Sequence, residues 1–141
     1  MTEPYLLSIS QRLLPESLER YSGLSRAEQV FVLVWELEAE VNNGGFSQFY
    51  FNSSGDRATE TVAALRAIGA DRTALIVERA NARFASGPPA DRAVRQEVLL
   101  EIDSNEGLFQ DLDSEFYRYP NEISDLLMRF VREHRADIRG A

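Results

Sequence analysis

The sequence predicts an all-α fold, and three observations predict it. Apolar residues recur at helical spacing along nearly the whole chain. Glycine, proline and asparagine fall between those stretches, at positions suited to stopping helices. No pair of alternating apolar runs joined by a tight turn signals a hairpin. The 141 residues and the absence of a long linker suit one helical domain, 1–141, built as a bundle of about seven helices. The bundle is expected to surround a very apolar helix at about 25–41.

From about Tyr5 to Arg20, Leu6, Leu7, Leu13, Leu14 and Leu18 suggest a first helix. Pro15 is expected to break it and start a second piece, and Gly23 to close the unit. Ser25 then opens the main helix, with Glu28 in capping-box spacing. Val30, Phe31, Val34, Leu37 and Val41 share one face, and Val32, Leu33 and Trp35 widen it, as in a helix covered on several sides. The run Phe31-Val-Leu-Val34 also suits a buried strand. The pattern continues for about seventeen residues, beyond ordinary strand length, which favours the helix.

Asn42-Asn43-Gly44-Gly45 is expected to end that helix, because Asn and Gly accept left-handed backbone. A short helix over 46–52 follows, stopped by Ser53-Ser54-Gly55. Asp56 is read as the cap of the next helix, with Ala58, Val62, Leu65 and Ile68 buried and Gly69 as its stop. Asp71 is read as the cap of another, running to about Phe84 with Leu75, Ile76 and Phe84 inward. Ser86-Gly87-Pro88-Pro89 is a loop. Val94, Val98, Leu99 and Ile102 mark a further helix, and Leu108, Leu112 and Phe116 repeat through the next. Pro120 breaks the chain there. Asn121 is read as the cap of a last helix with Ile123, Leu126, Leu127, Phe130 and Val131 inward. Its basic end at Arg132, His134 and Arg135 suits the helix dipole.

Composition narrows function by exclusion. Hydrophobic residues are 44% and charged residues 27% of the chain, which supports a core and argues against disorder. No apolar run approaches the ~20 residues of a membrane span. The opening Met-Thr-Glu-Pro-Tyr-Leu-Leu lacks the basic start and apolar stretch of a signal peptide, so a cytoplasmic protein is expected. Cysteine is absent, which removes disulfides, thiolate metal sites and cysteine nucleophiles. The formal net charge is -8, which argues against direct nucleic-acid binding. Between Glu97 and Asp125 nine acids face one base, Arg118, while the remainder carries fourteen of each sign.

Several patterns invite a chemical reading. The turn at 42–45 could expose N–H groups to an anion, but it lacks the phosphate-binding glycine patterns and follows a helix. Glu36, Glu40 and Asn43 share a helical face, and Gln48 and Asn52 lie one turn apart on the next element. They could line a ligand pocket or hydrogen-bond the tight turn. Asp111, Asp113, Glu115 and Glu122 have calcium-loop spacing, but Phe116 stands where glycine is required, so the loop rule fails. His134 has no partner for zinc or a catalytic triad and is read as a surface residue. No cofactor, metal or catalytic residue is expected. The acidic region is a solvated face or an imitation of DNA, which carries one negative charge per ~1.7 Å. Asp103, Glu106, Asp111, Asp113 and Glu115 are the candidate partner-binding carboxylates, because no base interrupts them in sequence.

The segment from Glu40 to Gly55 resembles the signature of a bacterial DNA-mimic protein family, an acidic all-helical domain of unknown function. The matching residues are Asn43, Gly44, Gly45, Phe46, Gln48, Phe49, Tyr50, Phe51, Asn52 and Gly55. A looser likeness continues through Leu112-Asp113 and Phe116-Tyr117. The resemblance implies an acidic homodimer whose partner is a DNA-binding protein, such as a transcription factor that it keeps from its operator. The motif itself, from Glu40 to Gly55, is read as a mark of the fold. Two other functions remain open on the sequence: an enzymatic or ligand-binding domain with a pocket near Glu36, Glu40, Asn43 and Gln48, and a toxin-neutralising adaptor.

Overall fold

The structure is a computed structural model, and it describes residues 4–104 and 107–141. Among them are seven α-helices: α1 (Pro4–Arg20), α2 (Arg26–Phe51), α3 (Ala58–Ala67), α4 (Asp71–Asn81), α5 (Arg92–Ile102), α6 (Gln110–Tyr117) and α7 (Ile123–Glu133). No β-strand forms among the described residues. The fold is all-α, as its periodicity predicts.

Ser25 and Glu28 form the reciprocal capping box of α2, each side chain accepting the other's backbone N–H. The Glu28 carboxylate is buried and also accepts from Arg139. Burial alone would push the Glu28 carboxyl up, but hydrogen bonds from Arg139 and the Ser25 amide hold it down at about 2. Helix α2 packs against α1, α3, α5, α6 and α7. Val30, Phe31, Val32, Leu33, Val34, Leu37 and Val41 are all buried, and the buried apolar residues form one cluster from Leu6 to Ile138.

The glycine turn divides α2 into two helical pieces, as expected from Asn42 to Gly45, and the second piece runs from Phe46 to Phe51. Helical backbone resumes at Phe46 after two non-helical residues, Gly44 and Gly45, and Gly45 has φ 72° and ψ -174°. Pro15, expected as a break, lies inside a continuous α1. The proline is exposed, so water can take the carbonyl its missing N–H leaves free, while buried Leu6, Ile9 and Leu13 hold the helix down. Leu7 and Leu18 face outward.

Three expected caps act elsewhere. Asp56 lies in a 3-10 turn, Ser53–Arg57, ahead of α3 and pairs with Arg95 at 2.8 Å. Asp71 is the first residue of α4, after Ala70, and α4 stops at Asn81. Asn121 does not cap α7: its side chain accepts from the backbone N–H of Thr73 at 3.0 Å and so serves the start of α4. Leu75 and Val94 are exposed, whereas Ile76, Phe84 and Leu99 are buried. His134 is half-buried, its ring stacked on Phe130 at 4.0 Å, because the last turn of α7 lays it back on that helix.

Candidate functional site

The bend of α2 is a closed structural joint. The Glu40 carboxylate accepts from the side-chain amides of Gln48 at 2.6 Å and Asn52 at 3.1 Å, and Asn43 donates to Gln48 at 3.3 Å. A side chain on Gly44 would collide with Gln48, and one on Gly45 would meet Asp113 Oδ2 at 2.5 Å. Phe46, Phe49 and Tyr50 are buried in an aromatic cluster with Phe84, Phe109 and Phe116. Gly55 lies against Arg95, so its missing Cβ leaves room for the guanidinium. These contacts tie the side chains of Glu40, Asn43 and Gln48 to one another across the turn. Glu36 lies apart from them, facing a different cleft, so the four do not meet in one pocket.

Arg95 belongs to this joint, and sequence reading passed it over. It is wholly buried and donates to the carbonyls of Tyr50, Asn52, Pro89 and Ala90 and to Asp56. The signal was present: Arg95 shares a helical stripe with Val98, Leu99 and Ile102, where an arginine is out of place.

The candidate acidic residues divide into two sets, with Glu106 outside the described residues. Asp113 reaches back from α6, and its Oδ1 accepts the Phe46 backbone N–H at 2.8 Å. Thus the anion-ready amide of the turn is occupied by the chain's own carboxylate. Burial pushes the Asp113 carboxyl up, that amide pulls it down, and Asp103 and Asp111 raise it further. Asp103 accepts from Ser47 Oγ at 2.6 Å and from the Leu108 N–H at 3.0 Å. Asp103 and Asp113 line an open groove of about 580 Å³ together with Gly44, Ser47, Phe51 and Leu100. Phe51 and Leu100 are 48% and 70% exposed, so the groove carries apolar surface that water still covers.

Asp111 and Glu115 form the second set. Arg83 binds Asp111 through both nitrogens, at 2.7 and 2.8 Å, and Arg79 binds Glu115 at 2.9 Å twice. The Arg83 guanidinium holds the Asp111 carboxyl well below its ordinary range, and Arg79 lowers that of Glu115. Arg79 comes from α4 and Arg83 from the turn that follows it. The stretch without bases in sequence therefore has bases beside it in space. Glu97 and Glu101 are different: they stand exposed on successive turns of α5, with no ion pair among the described residues.

No helix among the described residues is long and apolar enough to cross a membrane. No curated protein and no solved structure matches the chain. The model of one family, described as DMP19-like protein, matches residues 22–134, the span that holds the joint, the groove and helices α2 to α7. The chain belongs to the DMP19-like protein family.

Proposed function

We propose that this is a non-enzymatic acidic protein that binds a DNA-binding protein, acting as a DNA mimic that keeps a transcription factor from its operator. Membership of the DMP19-like family carries the reading. The exposed acids of α5 support a particular form of it. Glu97 and Glu101 lie one turn apart, about 6 Å along the helix axis, and no arginine neutralises them. Asp103 and Asp113 extend the negative field along the adjoining groove. A basic DNA-reading element set there meets charge first and then the apolar surface of Phe51 and Leu100. Asp111 and Glu115 add less, because Arg79 and Arg83 already cancel part of their field. The protein acts as a homodimer in this reading, so each assembly offers two such faces.

The test is affinity capture from the native cell at low salt, followed by measurement of whether the protein displaces the captured partner from its DNA. Displacement is expected, with affinity falling steeply as salt rises. The double charge reversal Glu97→Arg with Glu101→Arg should weaken binding by about tenfold or more, whereas Asp111→Asn with Glu115→Gln should matter less. A partner that stays on its DNA, or an affinity indifferent to salt and to charge reversal, overturns the proposal.

A further inference from the structure

A second, polar cleft of about 370 Å³ opens where the end of α1, the Tyr21–Gly23 turn, α2, the Ser53–Arg57 turn and the start of α5 come together. It lies at the opposite end of α5 from the acidic groove, since its α5 wall is Arg92 while the groove's is Leu99 and Leu100. Glu36 forms part of the wall and is half-buried. Seven other carboxylates of comparable burial have a hydrogen-bond partner: Glu16 on Arg139, Glu38 on Tyr119, Glu40 on Gln48, Asp56 on Arg95, Asp103 on Ser47, Asp113 on Phe46 and Glu115 on Arg79. Among the described residues, Glu36 has none. Burial pushes its carboxyl up to about 7, with Glu40 and Asp56 adding and Arg57 opposing.

Arg57, also in the lining, is half-buried and forms no ion pair among the described residues. Its guanidinium lies over the Tyr21 ring, 3.7 Å from the centroid. The two opposite charges thus face one space without meeting. Arg92 stands at the rim, 3.8 Å from an Asp56 that Arg95 already holds. Glu19 and Arg20 of α1 complete the charged lining. Partly buried charges without partners cost stability, and a molecule of complementary charge recovers it.

A bare anion would satisfy Arg57 and be repelled by Glu36, and a bare amine would do the reverse. A compact molecule with both charges satisfies both walls, and the cleft is within the usual volume range for a small ligand. We propose that this cleft binds a small zwitterion of the α-amino-acid class, with its ammonium on Glu36 and its carboxylate on Arg57 and Arg92. The planar guanidinium suits bidentate capture of a carboxylate. The site is separate from the acidic groove, so it stands whether or not the partner reading does.

The test titrates the isotope-labelled protein with each standard amino acid singly, up to about 10 mM, and follows the backbone amides by NMR. At least one amino acid should shift residues 20–22, 36 and 57 to saturation. Its dissociation constant should rise about tenfold or more in Glu36→Gln and in Arg57→Gln. Its deaminated and decarboxylated analogues should each bind about tenfold more weakly than the parent. Glu36→Gln keeps the side-chain volume and removes a carboxylate without a partner, so it retains the fold, and its result decides the question if Arg57→Gln does not fold. The proposal is overturned if no amino acid shifts these residues, if the deaminated analogue binds as tightly, or if Glu36→Gln binds unchanged.

Discussion

Arg95→Met takes away five hydrogen bonds at an unexposed site and leaves a side chain of similar length. The donors serve Tyr50 O at 2.6 Å, Asn52 O and Asp56 Oδ1 at 2.8 Å each, Pro89 O at 2.9 Å and Ala90 O at 3.2 Å. At about 1.5–3 kcal/mol for each bond to a charged group, simple addition reaches about 7–15 kcal/mol. That rivals the whole stability of an ordinary domain, so addition cannot be right. The unfolded arginine is hydrated, which offsets much of the gross interaction. Asp56 is 31% exposed and keeps Arg92 at 3.8 Å, so water and that arginine recover part of its loss. The carbonyls of Tyr50 and Asn52 remain without their donor at the end of α2. Removal of one partner from a buried charged cluster costs about 3–5 kcal/mol, and that is the expected loss. Urea unfolding followed by Trp35 fluorescence measures it. At a slope of ~2 kcal/mol/M the midpoint should fall by about 2 M. Asp56→Asn, which leaves the four carbonyl bonds in place, should cost about half as much or less. A midpoint shift below about 0.5 M for Arg95→Met, with the slope unchanged, would mean that the turn at 52–57 does not depend on the guanidinium.

Two further outcomes test the joint and the cleft. Gly45→Ala should destabilise the protein by about 2 kcal/mol or more, because its φ of 72° strains any side chain and the new Cβ meets Asp113. A double-mutant cycle with Asp113→Ala should show coupling between the positions, and a near-neutral Gly45→Ala would refute the geometry. Glu36 has a folded value of about 7 against an ordinary 4.5, so the native state binds the proton more tightly. The stability that proton contributes is present below pH ~4.5 and is lost as pH rises through about 7, a fall of about 3 kcal/mol. Glu36→Gln should therefore match the wild type near pH ~4 and exceed it near pH ~8 in denaturant midpoint, and a difference constant with pH would contradict the assignment.

Local features were legible in the sequence because local physics decides them. The Ser25–Glu28 capping box needs only a spacing of three, and the apolar stripes of α2 and α7 need only the helical period. Long-range hydrogen bonds were not legible. Asn121 reads as a cap for the helix beside it, yet it serves Thr73, 48 residues earlier. Asp56 looks like a cap until Arg95 is brought beside it. The acidic run 103–115 looks uninterrupted because sequence cannot show that α4 and the turn after it lay Arg79 and Arg83 against α6. Proline at 15 misleads for the opposite reason: the local rule is sound, but packing of Leu6, Ile9 and Leu13 outweighs it.

The contact between Gly45 and Asp113 also bears on how this protein can change over evolutionary time. The carboxylate fits only because position 45 has no side chain, and the amide at 46 accepts a bend there only with an acceptor in reach. A substitution at either position alone strands the other, so the two are expected to change together although 68 residues separate them. That ties one acid of the groove to the backbone of α2. Glu97 and Glu101, which form no ion pair among the described residues, can change without cost to the fold, whereas a change at Asp113 leaves the Phe46 amide without its acceptor.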